Sequence, residues 1–303
     1  MHFDFRRAII EKYSQPEEIA QYTLEAEKEL FDWEKWILAK YIKGGEKVLV
    51  LGSGAGREVF GIEKMNVSAY GVDICLPLLN SAKSLMLKDN HKGFLMAGDA
   101  LQLGFKKETF NLCIMFRQFL QHFPFRKNRM RLLKEAGRIL DKGGILLLSL
   151  HLSPFSFSPY RIANHFCKIF FAERASGPAN PVMTESKEPV LFRILRKLTF
   201  VVLGTVINIT RNTCRRIYVK LKGENYKGLE PNDFYISSIS AAHSKGKILF
   251  HDYSAKEILE DLSAAGFMTV EWSDIDELGR NKPYPSWIRR GASFVCIVAK
   301  KTG

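Results

Sequence analysis

The stretch VLVLGSGAGREVF at residues 48–60 places three glycines directly behind a short apolar run. The run KVLVL at 47–51 is apolar after its first residue, which is typical of a strand buried on both faces of a parallel sheet. Gly52, Gly54 and Gly56 then form a turn in which no side chain covers the backbone. A glycine turn between a parallel strand and a helix lets a nucleotide-bearing ligand lie against free N–H groups. The alternative is a tight strand-to-helix turn without a ligand.

Apolar strands alternate with helical segments on both sides of this turn. The predicted strands are 47–51, 67–73, 93–99, 110–116, 143–152, 268–274 and 293–301. The predicted helices are 57–64, 76–89, 126–141 and 251–267, and one or two amphipathic helices are predicted over 17–42. Such alternation indicates a sheet of parallel strands that is covered on both faces. We therefore predict a doubly wound α/β fold with a seven-stranded, mostly parallel sheet.

The spacing of the glycines separates two kinds of cofactor site. Dinucleotide-binding turns follow G-x-G-x-x-G, in which the third glycine permits close packing of the helix. In this chain Arg57 stands at that position, and the third glycine comes one residue early, at Gly56. The resulting G-x-G-x-G pattern disfavours a nicotinamide or flavin oxidoreductase.

Acidic residues end the next two predicted strands. Asp73 lies where a carboxylate can accept both hydroxyls of an adenosine ribose. Asp99 ends the third strand, where it or Ala100 can meet the edge of an adenine. A single aspartate at a strand end is often only a helix cap or a turn former. Two of them beside a glycine turn favour a nucleoside-binding site.

Together these motifs resemble the class I S-adenosylmethionine-dependent methyltransferases. The resemblance runs in order through VLVLGSGAG (48–56), GVDIC (71–75), AGDA (97–100), FNLCIMFRQFLQHF (110–123), EAGRILDKGGILLLS (135–149) and YSAKEILEDLSAAGF (253–267). It implies a Rossmann-like methyltransferase fold of the small-molecule type, with S-adenosylmethionine as the cofactor. It also implies a set of cofactor-binding residues: Gly52, Ser53, Gly54, Gly56, Asp73, Ile74, Asp99, Ala100 and Phe116.

One position departs from the pattern of that family. Many members carry an acidic residue two positions before the first glycine of the turn, and here that position is Val50. The amino-acid end of the cofactor then needs acidic groups from elsewhere in the chain, or backbone carbonyls.

Two histidines follow strands whose carboxyl ends lie beside the expected methyl group. Methyl transfer needs alignment of donor and acceptor and, for some acceptors, a base that removes a proton. His122 follows the fourth predicted strand, where some small-molecule O-methyltransferases carry their general base, and His151 ends the fifth. Both are candidate catalytic residues, with packing as the alternative role. The sequence MFRQF at 115–119 replaces an Asn-Pro-Pro-Tyr-like motif, which argues against methylation of adenine or glutamine amino groups.

The chain divides into three predicted parts. Residues 1–45 form N-terminal helices that cap the core, and Tyr13 and Tyr22 within them can close over the cofactor. Residues 46–152 and 251–303 form the methyltransferase core. Residues 153–250 form an insertion that we interpret as a lid or substrate module.

Much of the positive charge lies in the insertion. The chain has 45 Lys and Arg against 32 Asp and Glu, and the insertion has fifteen against six. Its segment 190–222 combines eight basic residues with a long apolar run and contains no acidic residue. Three interpretations remain open: a packed element with solvated charges, a peripheral membrane contact, or an anion- or RNA-binding face. Nucleic acid is the least favoured, because aromatic residues are not interleaved with the basic cluster.

The five cysteines are scattered and no two form a C-x-x-C pair, so no metal site is predicted. The N-terminal residues interleave charges with apolar side chains, unlike a secretory signal, and we expect a cytoplasmic protein. The predicted function is methyl transfer from S-adenosylmethionine to a small-molecule or lipid-like acceptor, at oxygen or carbon. The alternative is a non-catalytic scaffold that docks through its basic insertion on a membrane or a partner.

Overall fold

The computed structural model describes residues 4–152, 230, 232–236, 248–275, 278 and 294–303. They lie in one compact unit, which comprises Met1–Leu152, Tyr226–Pro283 and Phe294–Gly303. The chain's other unit, 153–225 with 284–293, lies outside the described residues. Most of the predicted insertion, including 190–222, therefore lies outside them too, and its role stays a prediction.

Nine strands are present in the described part of the chain. They are β1 (Lys47–Leu51), β2 (Ser68–Asp73), β3 (Phe94–Ala97), β4 (Phe110–Met115), β5 (Leu140–His151), β6 (Asp233–Ile236), β7 (Ile248–His251), β8 (Phe267–Asp274) and β9 (Phe294–Lys301). Seven of them form one sheet in the order β3-β2-β1-β4-β5-β9-β8. Strands β1 to β5 run parallel, and β9 is antiparallel to both of its neighbours. This confirms the predicted doubly wound, mostly parallel α/β fold.

The helices cover the sheet and its carboxyl edge. They are α1 (Phe5–Tyr13), α2 (Pro16–Ala26), α3 (Asp32–Tyr41), α4 (Arg57–Glu63), α5 (Leu76–Asp89), α6 (Arg126–Ile139) and α7 (Ala255–Ala264), with a short 3₁₀ helix at Phe119–His122. Ser254 caps α7, because its side-chain oxygen accepts from the N–H of Glu257 at 3.1 Å. None of these described helices is long and apolar enough to cross a membrane.

The N-terminal segment contains one more helix than the periodicity predicts. Helix α1 begins after Asp4, whose side chain accepts from the backbone N–H groups of Arg6 and Arg7 at 3.1 and 3.2 Å. Pro16 then starts α2. Proline is tolerated there because the N–H groups of the first helical turn make no hydrogen bond within the helix. Charges interleaved with short apolar pairs hide α1 from a periodicity reading, although the aspartate cap is present in the sequence.

The junction of α6 and β5 also differs from the prediction. The helix was expected to continue to residue 141 and to stop at Gly143–Gly144. It ends instead at Ile139, and Leu140 already pairs with Phe110 of β4. The two glycines lie within β5, where the register with β4 shifts and Gly143 takes a φ of 72°. Pairing with β4 therefore ends the helix earlier than the local glycine signal suggests.

The β6–β7 pair falls inside the predicted insertion yet belongs to the same compact unit as the sheet. A buried cluster of charged side chains joins it to α6 and α7. Arg129 is fully buried and donates to Glu230 at 2.6 Å and to Glu257 at 3.2 Å. His251 lies between Asp233 and Glu257, at 2.7 and 2.8 Å.

Three of these residues, Glu230, Asp233 and His251, lie close enough together to hold a metal ion. However, Arg129 and His251 already bring positive charge to the carboxylates. Burial opposes the charged form of the imidazole, but the hydrogen bonds to Asp233 and Glu257 raise the pKa of His251 above its ordinary value. We therefore interpret the cluster as an ion-pair network that holds the fold together.

The raised pKa of His251 makes folding stability depend on pH. The folded state binds this proton more tightly than the unfolded state, in which the pKa is about 6.5. The stabilisation is thus fully present below about pH 6.5 and is lost as the pH rises through the folded-state pKa. Urea unfolding between pH 6 and pH 9 should show stability falling more steeply for the wild type than for His251→Gln. Equal slopes in the two proteins would contradict this prediction.

Candidate functional site

A cavity of about 110 Å³ opens at the carboxyl ends of the central strands. The chain proceeds from β1 through β2 and β3 on one side and through β4 and β5 on the other, so the strand order reverses at this point. Open α/β sheets bind ligands in the crevice at such a reversal. Helices α1 and α2 supply the remaining wall, with Phe5, Ile9, Tyr13 and Tyr22 among the lining residues.

Most of the predicted cofactor-binding residues meet in this cavity. Those that line it are Gly52, Ser53, Gly54, Asp73, Ile74, Asp99, Ala100 and Phe116. Gly56 does not line it and instead caps the N-terminus of α4 with a φ of 97°. Tyr13 and Tyr22 do line it, at the place where the sequence analysis expected them to cover a cofactor.

The three glycines of the turn serve different purposes. A side chain at Gly52 would overlap the ring of Phe119, and one at Gly56 would overlap the ring of Phe60. A Cβ atom on Gly54 would meet nothing closer than 3.8 Å. All three have a positive φ. Aromatic rings of the same chain thus pack against the backbone of Gly52 and Gly56. The backbone of Gly54 stays uncovered on the side of the cavity.

Asp73 organises the floor of the cavity. One carboxylate oxygen accepts from the N–H of Gly54 and the other from the N–H of Cys75, both at 2.8 Å. Burial raises the pKa of Asp73 above its ordinary value, against backbone N–H groups that lower it. Since each carboxylate oxygen has two lone pairs, both retain capacity for a ligand hydroxyl.

Asp99 connects the cavity to the N-terminal helix. Its Oδ1 accepts from the N–H of Leu101 at 2.9 Å, and its Oδ2 accepts from Nε of Arg6 at 2.7 Å. Arg6 lies in α1, the helix that the periodicity did not reveal. The aspartate cap at Asp4 is the sequence signal that identifies this helix, and with it the contribution of Arg6.

His122 forms a hydrogen-bonded pair with Tyr13 at the cavity wall. The Nδ1 of His122 lies 3.1 Å from the carbonyl oxygen of Gln118, which can only accept, so Nδ1 carries the proton. The hydroxyl of Tyr13 then donates to Nε2 at 2.7 Å. Burial lowers the pKa of His122 to about 4, so the ring is neutral at neutral pH. The pair is an uncharged base connected to a phenol at the cavity wall.

His151, the other candidate catalytic residue, does not line the cavity. Its ring is exposed and stacks on Phe294, with the ring centres 4.5 Å apart. Its backbone contributes more, because its carbonyl oxygen and N–H both bind the buried side chain of Gln121. The geometry supports His122 and gives no support to a catalytic role for His151.

The position that lacks an acid, Val50, is buried and contributes an apolar side chain to the cavity lining. Two other carboxylates line the cavity, Glu25 of α2 and Glu58 of α4. Glu58 is bound by Arg57 at 2.6 Å, and Glu25 is bound by Arg117, which also lines the cavity. Neither carboxylate carries a signal in the sequence, because only the packing of α2 and α4 against the strand ends brings them to the cavity.

The residues that build the cavity match a known protein family. Residues 49–148 match the model of a family described as a methyltransferase domain. Residues 49–148 therefore form a methyltransferase domain. Its cofactor is S-adenosylmethionine, and the match spans the glycine turn, Asp73, Asp99 and His122. No curated protein sequence matches the chain.

Solved structures of methyltransferases share the fold of this domain. A S-adenosylmethionine-dependent methyltransferase from Methanosarcina mazei is 16% identical with a TM-score of 0.54, over 90% of this chain and 99% of that one. One from Clostridium acetobutylicum is 12% identical with a TM-score of 0.53, over 94% and 97%. The CcbJ methyltransferase from Streptomyces caelestis is 12% identical with a TM-score of 0.55, over 93% and 97%. At these identities the likeness concerns the fold.

The residues of the methyltransferase domain fit this cofactor. Ser53 in the turn is buried, and its hydroxyl has no hydrogen-bond partner within the described ranges. Gly54 leaves open backbone beside it, and Asp73 retains acceptor capacity. An unsatisfied buried hydroxyl is costly unless a ligand or water completes it. The turn therefore offers polar groups to a ligand that lies along it.

Proposed function

We propose that this enzyme transfers a methyl group to a small-molecule or lipid-like acceptor, at oxygen or carbon. The observation that carries this proposal is the neutral pair of Tyr13 and His122 at the wall of the cofactor cavity. Methylation at an O–H or C–H group releases a proton, and a neutral imidazole can take it. An acceptor that is already anionic would have no use for such a base.

Cofactor binding follows from the turn and the next two strand ends. Gly52, Ser53 and Gly54 present polar backbone and a hydroxyl to the cofactor. Asp73 accepts hydrogen bonds from the ribose hydroxyls, through the lone pairs that its backbone donors leave free. Asp99 accepts from the adenine edge. The remaining side chains of the predicted set, Ile74, Ala100 and Phe116, supply apolar contact with the rings.

The Tyr13–His122 pair moves the acceptor's proton. When bound, S-adenosylmethionine would supply a methyl group on a positively charged sulfur. The acceptor atom attacks the methyl carbon in line with the sulfur, which leaves as a neutral thioether. As the new bond to the methyl group forms, the acceptor's proton passes to the Tyr13 oxygen and the Tyr13 proton passes to Nε2 of His122. The imidazole of His122 thus gains the positive charge that the methyl donor loses, so the net charge of the cavity does not change.

The part of the cavity wall contributed by α1 and the 3₁₀ helix is aromatic. The ring of Phe123 packs edge-on against Phe5 at 5.7 Å and against Phe119 at 5.2 Å, and all three line the cavity. Apolar walls with a few polar groups are typical of sites for small apolar ligands. This supports an acceptor with a ring or an alkyl chain next to the atom that is methylated.

Cofactor binding is tested by isothermal titration with S-adenosylmethionine. The wild type should bind, and Asp73→Ala should bind on the order of 10- to 100-fold more weakly, because hydrogen bonds to a charged group are lost. A matched control is Asp89→Ala, which removes an exposed carboxylate from the last turn of α5. Absence of binding by the wild type would overturn the proposed function.

The acceptor class is tested with methyl-labelled cofactor and a fractionated cell extract. Label should appear in small molecules or lipids that partition into organic solvent, and not in protein or nucleic acid. Label confined to protein or nucleic acid would contradict the proposed acceptor class and leave methyl transfer itself intact. The labelled fraction then serves as the substrate for rate measurements on variants.

A further inference from the structure

An ion pair within the cavity wall has no role in the function proposed above. Arg117 lies two residues after the end of β4, and its Nη1 donates to Oε2 of Glu25 in α2. Gln21 donates to the other oxygen of Glu25 at 3.1 Å. Burial works against ionisation, but Arg117 and Gln21 hold the pKa of Glu25 below its ordinary value, so the carboxylate is charged.

The backbone at Arg117 is held in a costly conformation. Arg117 and Gln118 have φ angles of 53° and 61°, so two consecutive non-glycine residues are left-handed. Ser149 of β5 stabilises this turn, because its hydroxyl accepts from the N–H of Arg117 at 2.7 Å and its carbonyl from the N–H of Gln118 at 3.1 Å. Such outliers persist where the surrounding structure over-determines them and cluster at ligand sites. Here the turn delivers the Arg117 side chain to the cavity.

A second arginine at the cavity, Arg57, differs in that its charge is already neutralised. Its two terminal nitrogens donate to both oxygens of Glu34 at 2.7 Å, and one also donates to Glu58 at 2.6 Å. In contrast, the guanidinium of Arg117 donates to Glu25 alone among the residues that the structure describes. Its remaining donors, Nε and Nη2, are therefore available to a ligand.

The position of this pair within the sheet indicates what it meets. Asp73 and Asp99 follow β2 and β3, on one side of β1, and mark the adenosine end of the cavity. Arg117 follows β4, on the other side of β1. A ligand that extends along the cavity from the aspartates therefore ends at Arg117 and Glu25. S-adenosylmethionine, with its adenosine at the aspartates, would place its α-amino acid group there, and this group carries one negative and one positive charge.

We propose that Arg117 and Glu25 bind the amino-acid end of the cofactor, Arg117 its carboxylate and Glu25 its ammonium group. This inference rests on the proposed function, because it requires the cofactor to lie in this cavity. The pair provides a charged partner for each group and places a carboxylate near the turn, although Val50 occupies the usual acidic position. A guanidinium also recognises a carboxylate through two parallel hydrogen bonds, which adds geometric selectivity.

The experiment compares two neutral thioethers that differ in the amino-acid end alone. S-adenosylhomocysteine carries that end, and 5′-methylthioadenosine lacks it. Isothermal titration should show that Arg117→Gln weakens S-adenosylhomocysteine binding on the order of tenfold or more. Its affinity for 5′-methylthioadenosine should stay within about twofold of the wild-type value. Lys127→Gln is the control for lost charge, since Lys127 is exposed on α6 and does not line the cavity.

A second pair of ligands separates the two residues. Decarboxylated S-adenosylmethionine keeps the amine and lacks the carboxylate. Arg117→Gln should lower the affinity for S-adenosylmethionine and leave the affinity for the decarboxylated form unchanged. Glu25→Gln should lower the affinity for both.

Two results would overturn the proposal. One is an equal loss of affinity for S-adenosylhomocysteine and 5′-methylthioadenosine in Arg117→Gln, or no loss for either. The other needs no variant: a wild type that binds 5′-methylthioadenosine as tightly as S-adenosylhomocysteine has no amino-acid subsite, although its cofactor site stands. A wild type that binds neither ligand overturns the proposed function as well.

Discussion

Replacing His122 with asparagine is expected to slow methyl transfer by about 10²–10⁴-fold, the range typical for loss of a general base. The substitution keeps a polar side chain of similar reach near Gln118 and removes the nitrogen that accepts from Tyr13. Affinity for S-adenosylmethionine, measured by isothermal titration, should stay within about threefold of the wild type, because the proposed role concerns the acceptor's proton. The rate is measured with the acceptor fraction that takes up label.

Two companion variants sharpen this experiment. Tyr13→Phe should also slow transfer strongly, because it removes the hydroxyl through which the proton reaches His122. His151→Asn is the matched control, since His151 is exposed outside the cavity and its substitution should leave the rate unchanged. A normal rate in His122→Asn, or a loss in His151→Asn equal to that in His122→Asn, would contradict the assignment.

The pH profile gives a further signature of His122. Burial lowers the pKa of His122 to about 4, and the base is active in its neutral form. The rate should therefore hold from pH 7 down to about pH 5 and decline toward pH 4, whereas a base with the ordinary value of about 6.5 would lose activity near pH 6.

Replacing Arg129 with methionine is expected to destabilise the folded protein by about 3–5 kcal/mol, the cost typical of removing one partner from a buried ion pair. Arg129 is fully buried, and its removal leaves Glu230, Asp233 and Glu257 facing one another with His251 as their remaining positive partner within the cluster. Since a domain is typically stable by only about 5–15 kcal/mol, this loss is a large fraction of the total.

Urea unfolding followed by circular dichroism measures this loss. The control is Arg7→Met, which breaks the exposed ion pair of Arg7 with Glu11 and should leave the unfolding midpoint essentially unchanged. If the two variants unfolded at the same urea concentration, the charged cluster would not contribute to stability as proposed.

Elements with strong local signals were predictable to the residue. KVLVL forms β1 over Lys47–Leu51, and α5 spans Leu76–Asp89 as expected, with a proline in its first turn and a left-handed Asn90 at its end. The α6–β5 junction was predicted less well, because pairing of Leu140 with Phe110 of the neighbouring strand ends the helix before Gly143 does. Contacts between elements that are distant in the sequence carry no such local signal.

The candidate site shows the same division. Gly54, Asp73 and Asp99 were predictable because each lies at the end of a strand or within three residues after it, and the carboxyl ends of parallel strands meet at one edge. Tyr22 was expected to cover the cofactor, and it lines the cavity, but the sequence did not indicate which residues of this chain it would contact. The pairing of Arg117 with Glu25 was not foreseen, since these residues lie 92 positions apart in the chain.

The sequence by itself determined the sheet and the glycine turn, because hydrophobic periodicity and glycine spacing depend on residues close together in the chain. Its resemblance to a methyltransferase family implied the cofactor. Only the tertiary structure decided what completes the cavity. The packing of α1 and α2 over the strand ends brings Tyr13 to His122, Arg6 to Asp99 and Glu25 to Arg117. Which face a helix presents to such a cavity depends on the surfaces it packs against. The glycine turn at residues 52–56 therefore indicated a ligand that carries a nucleoside, and the resemblance to a methyltransferase family implied which one. The helices that cover the turn supply the groups proposed to recognise the amino-acid end of that ligand and to remove the acceptor's proton.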